Sequence, residues 1–157
     1  EADTGGIYMM ESEWDKYDLL QIRPSNFDEL AATVAFSHNP DINPYIYTYM
    51  KVRKVQPFTY PRFTELGKVN SILSDTHGML LWQEQKEAIL EYFGSMSELE
   101  REQNKNAIKI VLREIELRKH SLSNRAFFRN RALLCYKLAY IKVHHRELFD
   151  KFTEQYL

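Results

Sequence analysis

Apolar positions in this 157-residue chain recur mostly every three or four residues, which predicts amphipathic helices separated by short polar breaks. The exception is Met79 to Trp82, a compact apolar run too short for a buried helix and read as an extended core segment. A turn at His77-Gly78 precedes it, glycine taking positive φ without a Cβ penalty. A helix follows from Gln83, with Ala88, Ile89, Tyr92 and Phe93 on its inner side and Gly94 placed to end it as a C′ residue. The remaining helices are expected to gather around this run.

Upstream, Glu11 to Leu20 reads as a short helix that must stop before Pro24. Ser25-Asn26 offers the next N-cap, with Glu29 completing a capping box three residues after Asn26. That helix runs to about Phe36 and turns Phe27, Leu30, Ala31, Val34 and Ala35 inward, until Ser37-His38-Asn39-Pro40 breaks it. Ile42 to Val55 carries two patterns. Tyr45, Tyr47 and Tyr49 alternate as in a strand, whereas Pro44 suits a first helical turn, and Ile42, Tyr45, Ile46, Tyr49 and Val52 form a helical stripe. The helical reading is preferred. Gln56 to Pro61 is an extended connector able to pair with Met79 to Trp82 in a two-stranded ribbon, and Phe63 to Leu73 is a modest helix.

Downstream, Ser97 to Glu100 forms another capping box opening one long helix to about His120, which buries Ile108, Val111, Leu112 and Ile115. Ser123-Asn124 caps the last long helix, from Arg125 to about His145. Phe127, Leu134, Leu138 and Ile141 lie on one side of it, and Tyr136, Tyr140 and Val143 on another, so it is expected at the centre of the core. Glu147 to Leu157 either extends it or forms a short closing helix. The fold class is mainly α, a compact multi-helix domain spanning 1–157 that admits a small two-stranded β ribbon.

Composition narrows the class. The content, 44% hydrophobic and 27% charged, is that of an ordinary globular protein. No apolar run is long enough to span a membrane, and the acidic start is unlike a signal peptide. The chain begins at Glu1 rather than methionine, which points to a piece cut from something longer or otherwise processed. Cys135 is the single cysteine, excluding an internal disulfide and multi-cysteine metal sites, so a reducing cytoplasm is the expected home. The net charge of −1 hides an uneven distribution. Residues 1–30 hold eight acids against Lys16 and Arg23, while 117–146 hold eight Lys and Arg and no acid. Either the two ends pair within the fold, or the basic end meets a polyanion.

Catalytic motifs are missing: no phosphate loop, no dinucleotide fingerprint, no nucleophile elbow and no His-Glu-x-x-His helix. His144 and His145 are adjacent and diverge on a helix, so no metal site is expected. Cys135, between Leu134 and Tyr136, reads as a small buried hydrophobe. Glu84 and Glu87 read as first-turn helix acids. One constellation remains: Asn124, Arg125, Arg129, Arg131, Lys137 and Lys142 with Tyr136 and Tyr140 interleaved. Arg125 and Arg129 share a face near a helix N-terminus, where phosphates are readily held. The competing reading pairs these cations with the acidic N-terminal residues.

Read in order, the segments resemble one family. Asp3-Thr4-Gly5-Gly6-Ile7-Tyr8-Met9-Met10-Glu11-Ser12 resembles its "DT-x-GVFQ-x-ES", and Pro24 with Phe27-Asp28-Glu29-Leu30 and Ala32 resembles "P-x-x-FEDL-x-A". Asp75-Thr76-His77-Gly78 through Trp82-Gln83-Glu84-Gln85 resembles "TYG-x-x-x-YQEQ", and Cys135-Tyr136 through His144 resembles "SYQTAYLKAHYP". The family is the bacterial replicative DNA polymerase III alpha subunit, and the resembling part is its fingers region. In that family the palm carboxylates that hold two metal ions lie upstream of this segment, and two-metal transfer needs such ligands. The family's "RPGP" is here Ser37-His38-Asn39-Pro40, and its "FNKSHA" is Ser123-Asn124-Arg125-Ala126-Phe127-Phe128, with Phe127 in place of histidine. Its basic "LRR…GKK" stretch has only Glu100 to Lys105 as a counterpart, and the span between those two motifs is shortened.

The resemblance implies a divergent fingers-like domain with no catalytic residues, metal or cofactor of its own. It would contact DNA or nucleotide phosphates through Asn124, Arg125, Arg129 and Lys142, with Arg53 and Lys54, matching the family's "RK", assisting. Partners expected are DNA or nucleotide and other replication proteins, with no membrane. The alternative is an accessory protein-interaction module that kept the fold and lost nucleotide binding.

Overall fold

A computed structural model describes residues 3–54 and 66–156. The chain gathers into two compact units: Glu1–His38 together with Ala126–Leu157, and Asn39–Arg125. Among the described residues the elements are helical, and no strand forms.

In the first unit, α1 (Glu13–Ile22) starts at a capping box between Ser12 and Asp15. It ends where Arg23 takes a left-handed conformation, φ 50°, and donates its N–H to Leu19 O at 2.8 Å, just ahead of Pro24. α2 (Phe27–His38) is capped by Asn26 Oδ1, which accepts from Glu29 N at 2.9 Å. The Glu29 carboxylate reaches one residue further back than a capping box requires, accepting from Ser25 N and Ser25 Oγ. α2 is buried on nearly every side from Ala31 to Phe36, while Phe27 and Leu30 stay half-exposed. α8 (Arg125–His144) and α9 (Arg146–Tyr156) are separate helices. α8 buries Phe128, Ala132, Cys135 and Lys142, spaced four, three and seven apart, and exposes Phe127, Leu133, Leu134, Tyr136, Tyr140 and Val143. The expectation of a core-central helix is therefore corrected: one stripe is covered, Leu138 and Ile141 are half-buried, and Phe127, Leu134, Tyr136, Tyr140 and Val143 are exposed.

In the second unit, a 3₁₀ turn at Asn43–Tyr45 leads into α3 (Ile46–Arg53), so the helical reading of 42–55 holds as far as Lys54. Pro44 sits in the opening turn, Tyr49 is buried and Tyr47 is exposed. The proposed ribbon strand at 56–61 lies outside the described residues, as do 63–65 of the next helix, which is described as α4 (Gly67–Ile72). Met79 to Trp82 is buried as expected, entered through His77 at φ 53° and Gly78 at φ 83°. Its partner is Ser123, in a single parallel bridge: Ser123 N donates to Leu81 O at 3.0 Å and Gln83 N to Ser123 O at 2.9 Å.

α5 (Gln83–Ser95) takes in Gly94 as the next-to-last residue of its final turn, so Gly94 is helical and not a C′ cap. The helix expected from Ser97 to His120 is two, α6 (Glu98–Gln103) and α7 (Lys105–Arg118). The break falls at Asn104, whose Nδ2 and backbone N–H both turn back to Glu100 O. Such local side-chain bonding competes with helix continuation. α4, α5 and α7 enclose a core of Leu66, Val69, Leu73, Ile89, Phe93, Val111 and Ile115, into which Leu80 is threaded.

Candidate functional site

Asn124 is exposed just ahead of Arg125, the first residue of α8. The backbone N–H of Arg125 donates to Glu84 Oε2 at 3.0 Å, and its guanidinium Nη2 lies 2.5 Å from Asp75 Oδ2. Helix N-terminal N–H groups attract anions, and here a carboxylate of the chain itself fills that role. Arg125, Asp75, Glu84, Gln85, Ser71 and Ser74 line a cleft of about 370 Å³. With two carboxylates against one guanidinium, the cleft does not present the surplus positive charge that phosphate binding requires.

The two other α8 cations singled out by the sequence are likewise matched within their own unit. Arg129 pairs with Asp28, and its guanidinium lies over the Phe27 ring, 4.9 Å from the centroid. Lys142 is buried; its ammonium pairs with Asp3 and donates to Gly5 O at 2.8 Å. The hydrogen bond from Lys142 holds the Asp3 carboxyl below the usual carboxylate range. Arg131 stacks between the rings of Tyr8 and Phe127 and donates to Tyr8 Oη at 3.1 Å. Lys137 is exposed and has no acidic partner among the described residues. Arg129 and Lys142 are thus each committed to an acid of their own unit, and Arg125 to acids of its own.

Arg53 and Lys54 lie at the end of α3, one turn beyond Lys51. Lys51 and Lys54 are exposed and unpaired among the described residues, and Tyr47, 77% exposed, precedes Lys51 by four positions on the same helix face. No acid occurs between Asn43 and Thr64. Lys51 and Lys54 therefore carry charge with no acidic partner among the described residues, as Lys137 does, whereas Arg125, Arg129 and Lys142 are each paired with an acid.

Sequence reasoning missed Gln85. It is buried, and its Oε1 accepts from Leu81 N and Trp82 N, both at 3.0 Å. Its Nε2 donates to Asp75 Oδ1 at 2.9 Å and Thr76 Oγ1 at 2.8 Å. The signal was present: Gln85 falls on the stripe of Ile89, Phe93 and Met96, so it is a polar residue at an inward position. Cys135 is the buried small residue expected; its Sγ–H donates to Tyr8 O at 3.0 Å, and burial pushes the thiol up to about 11. His144 and His145 are exposed, with the His144 ring against Tyr140, and no metal-holding cluster of three His, Cys, Asp or Glu occurs among the described residues.

Two comparisons bear on this geometry. The family described as bacterial DNA polymerase III alpha subunit finger domain matches residues 1–122. Over 87 residues the chain is 33% identical to "DNA polymerase III subunit alpha" of Aquifex aeolicus (strain VF5), an overlap covering 54% of this chain. The same overlap covers 7% of that relative's length, so the chain corresponds to a small part of it.

Proposed function

The chain belongs to the bacterial DNA polymerase III alpha-subunit finger-domain family, and from there we propose that it acts in cytoplasmic DNA replication by contacting nucleic-acid phosphates. The contact runs first through Lys51 and Lys54 at the end of α3, with Arg53 beside them and Tyr47 offering a ring to an unpaired base. The observation that carries this reading is the contrast in charge compensation. Arg125, Arg129 and Lys142 face Asp75, Asp28 and Asp3 inside their own units, whereas Lys51 and Lys54 stand exposed with no acidic partner among the described residues. Arg125, Arg129 and the neighbouring Asn124 join the contact only where phosphate displaces a carboxylate, and buried Lys142 stays structural. Nucleotidyl transfer is assigned to no residue of these 157, because the family's metal-holding carboxylates precede the matching segment.

Anisotropy of a labelled single-stranded or primed oligonucleotide, titrated at several salt concentrations, tests this. Binding should weaken steeply with salt, and Lys51→Glu with Lys54→Glu should cost roughly tenfold or more while flattening the salt slope by about two. Absence of any anisotropy change at low salt and high micromolar protein would overturn the reading.

A second reading is favoured by the internal pairing of the basic helix and by its exposed apolar face: an accessory module whose binding partner is protein. Retained binding to an acidic protein partner in a variant unable to bind oligonucleotide would select it.

A further inference from the structure

The first unit displays two exposed surfaces of complementary chemistry. One is α1, where Trp14 is 77% exposed and Tyr17 55%, with Leu20 also in solvent. Single exposed apolar residues are ordinary, but two large aromatics three positions apart on one helix face form a patch with a use. The exposed carboxylates of Glu11 and Glu13 flank them, Glu11 accepting from Gly6 N and Glu13 from Lys16 Nζ of the same helix. The other surface is a groove of about 570 Å³ between the start of α2 and the middle of α8. Phe27, Leu30, Leu133 and Tyr136 line it, and it lies in the size range of roughly 300–1,000 Å³ typical of binding clefts. α8 contributes no acid anywhere along its length, and Lys137, one residue past Tyr136, has no acidic partner among the described residues.

The groove therefore calls for an amphipathic helix with bulky apolar side chains and carboxylates at its margin. Helices of that kind bind grooves through anchors at three- and four-residue spacing. α1 of the same chain has that composition. We infer that two copies of the chain associate by exchange, α1 of each seating Trp14, Tyr17 and Leu20 in the α2–α8 groove of the other. Reciprocal exchange makes the contact two-fold and closed at a dimer, whereas one-way pairing would build longer oligomers, an outcome that overturns the inference. Nucleic acid is a poorer fit for this groove. Leu30 and Leu133 give bases no flat surface to stack on, and Arg129 at its edge is engaged by Asp28.

Sedimentation equilibrium of the full chain from about 5 to about 500 µM tests the inference. A monomer–dimer equilibrium is expected. Trp14→Ala and Leu133→Glu should each raise the dissociation constant by roughly tenfold or more, as loss of an interface anchor does. Tyr136→Asp, at a more exposed position, serves as the groove variant should Leu133→Glu fail to fold by circular dichroism. Mixing Trp14→Ala with the groove variant should yield a mixed dimer tighter than either variant alone, since one intact helix–groove pair remains. A chain monomeric at every concentration overturns the inference. So does a dimer indifferent to both substitutions, or a groove variant whose only defect is in oligonucleotide binding.

Discussion

The side-chain amide of Gln85 takes the N–H groups of Leu81 and Trp82 and returns its own to Asp75 and Thr76, all inside the fold. An extended buried run without a strand along its full length has backbone donors that must find other acceptors. For Leu81 and Trp82 the acceptor is one glutamine. Gln85→Leu keeps the volume and removes the acceptor, leaving two buried donors unmatched at ~1–3 kcal/mol each. Urea unfolding should thus register a loss of about 2–6 kcal/mol. The side chain of Gln83 reaches Glu87 on the surface, and Gln83→Ala should stay within about 0.5 kcal/mol. Equal effects at the two positions would remove Gln85 from its place at the centre of this turn. The pair also marks what was legible here. Gln83-Glu84-Gln85 reads as a helix start next to a buried run, and it is one. Which of the two glutamines turns inward follows only from the phase of the helix, fixed by Ile89 and Phe93 four and eight residues on.

Helices were recoverable from periodicity, and their starts were recoverable at the caps of Asn26 and Ser97, whereas the Ser12 cap was not read and α1 starts two residues later than expected. Ends set by subtler competition were not. Asn104 interrupts an otherwise continuous helical pattern, its side-chain amide competing with its own backbone N–H for the Glu100 carbonyl. Gly94 suggested a terminus, yet α5 runs through it to Ser95. The two placements of Gly94 predict opposite signs for one substitution. At a C′ position with positive φ, alanine would destabilise. Inside a helix, with nothing within 4 Å of an added Cβ, Gly94→Ala should instead stabilise by about 0.5–1 kcal/mol. A rise in urea midpoint with an unchanged slope is the expected result, and a fall would reinstate the terminus. α8 failed for a different reason. A helix apolar on most of its circumference does not reveal which stripe the rest of the chain covers, and here that stripe is the one through Ala132 and Cys135.

At the scale of the molecule, part of the charge asymmetry of the sequence resolves into pairing between its two ends. Asp3 meets Lys142 and, at 3.5 Å, Arg146; Asp28 meets Arg129. The N-terminal residues are also held by packing: Gly6, at φ 73°, lies so close to Phe149 that an added Cβ would come within 2.8 Å of its ring. The unit made from both chain ends therefore depends on residues 3–10 as a cover over α8. Cys135 reports on that cover. Burial holds its thiol near 11, against ~8.5 for a free cysteine, so near pH 8 almost none is the reactive thiolate. Removing residues 1–10 takes away the Tyr8 carbonyl that Cys135 bonds, together with buried Ile7 and Met10. The thiol should then titrate near its ordinary range and react with a disulfide reagent roughly two orders of magnitude faster at pH 8. Gly6→Ala, which forces the cover away from Phe149 without deleting it, should give a smaller acceleration in the same direction. Far-UV circular dichroism separates this local opening from global unfolding, since opening alone leaves the helical signal in place. If Cys135 in the shortened chain reacts as slowly as in the full one, α8 is sealed by something other than the N-terminal residues, and the pairing of the ends is surface charge without a structural task.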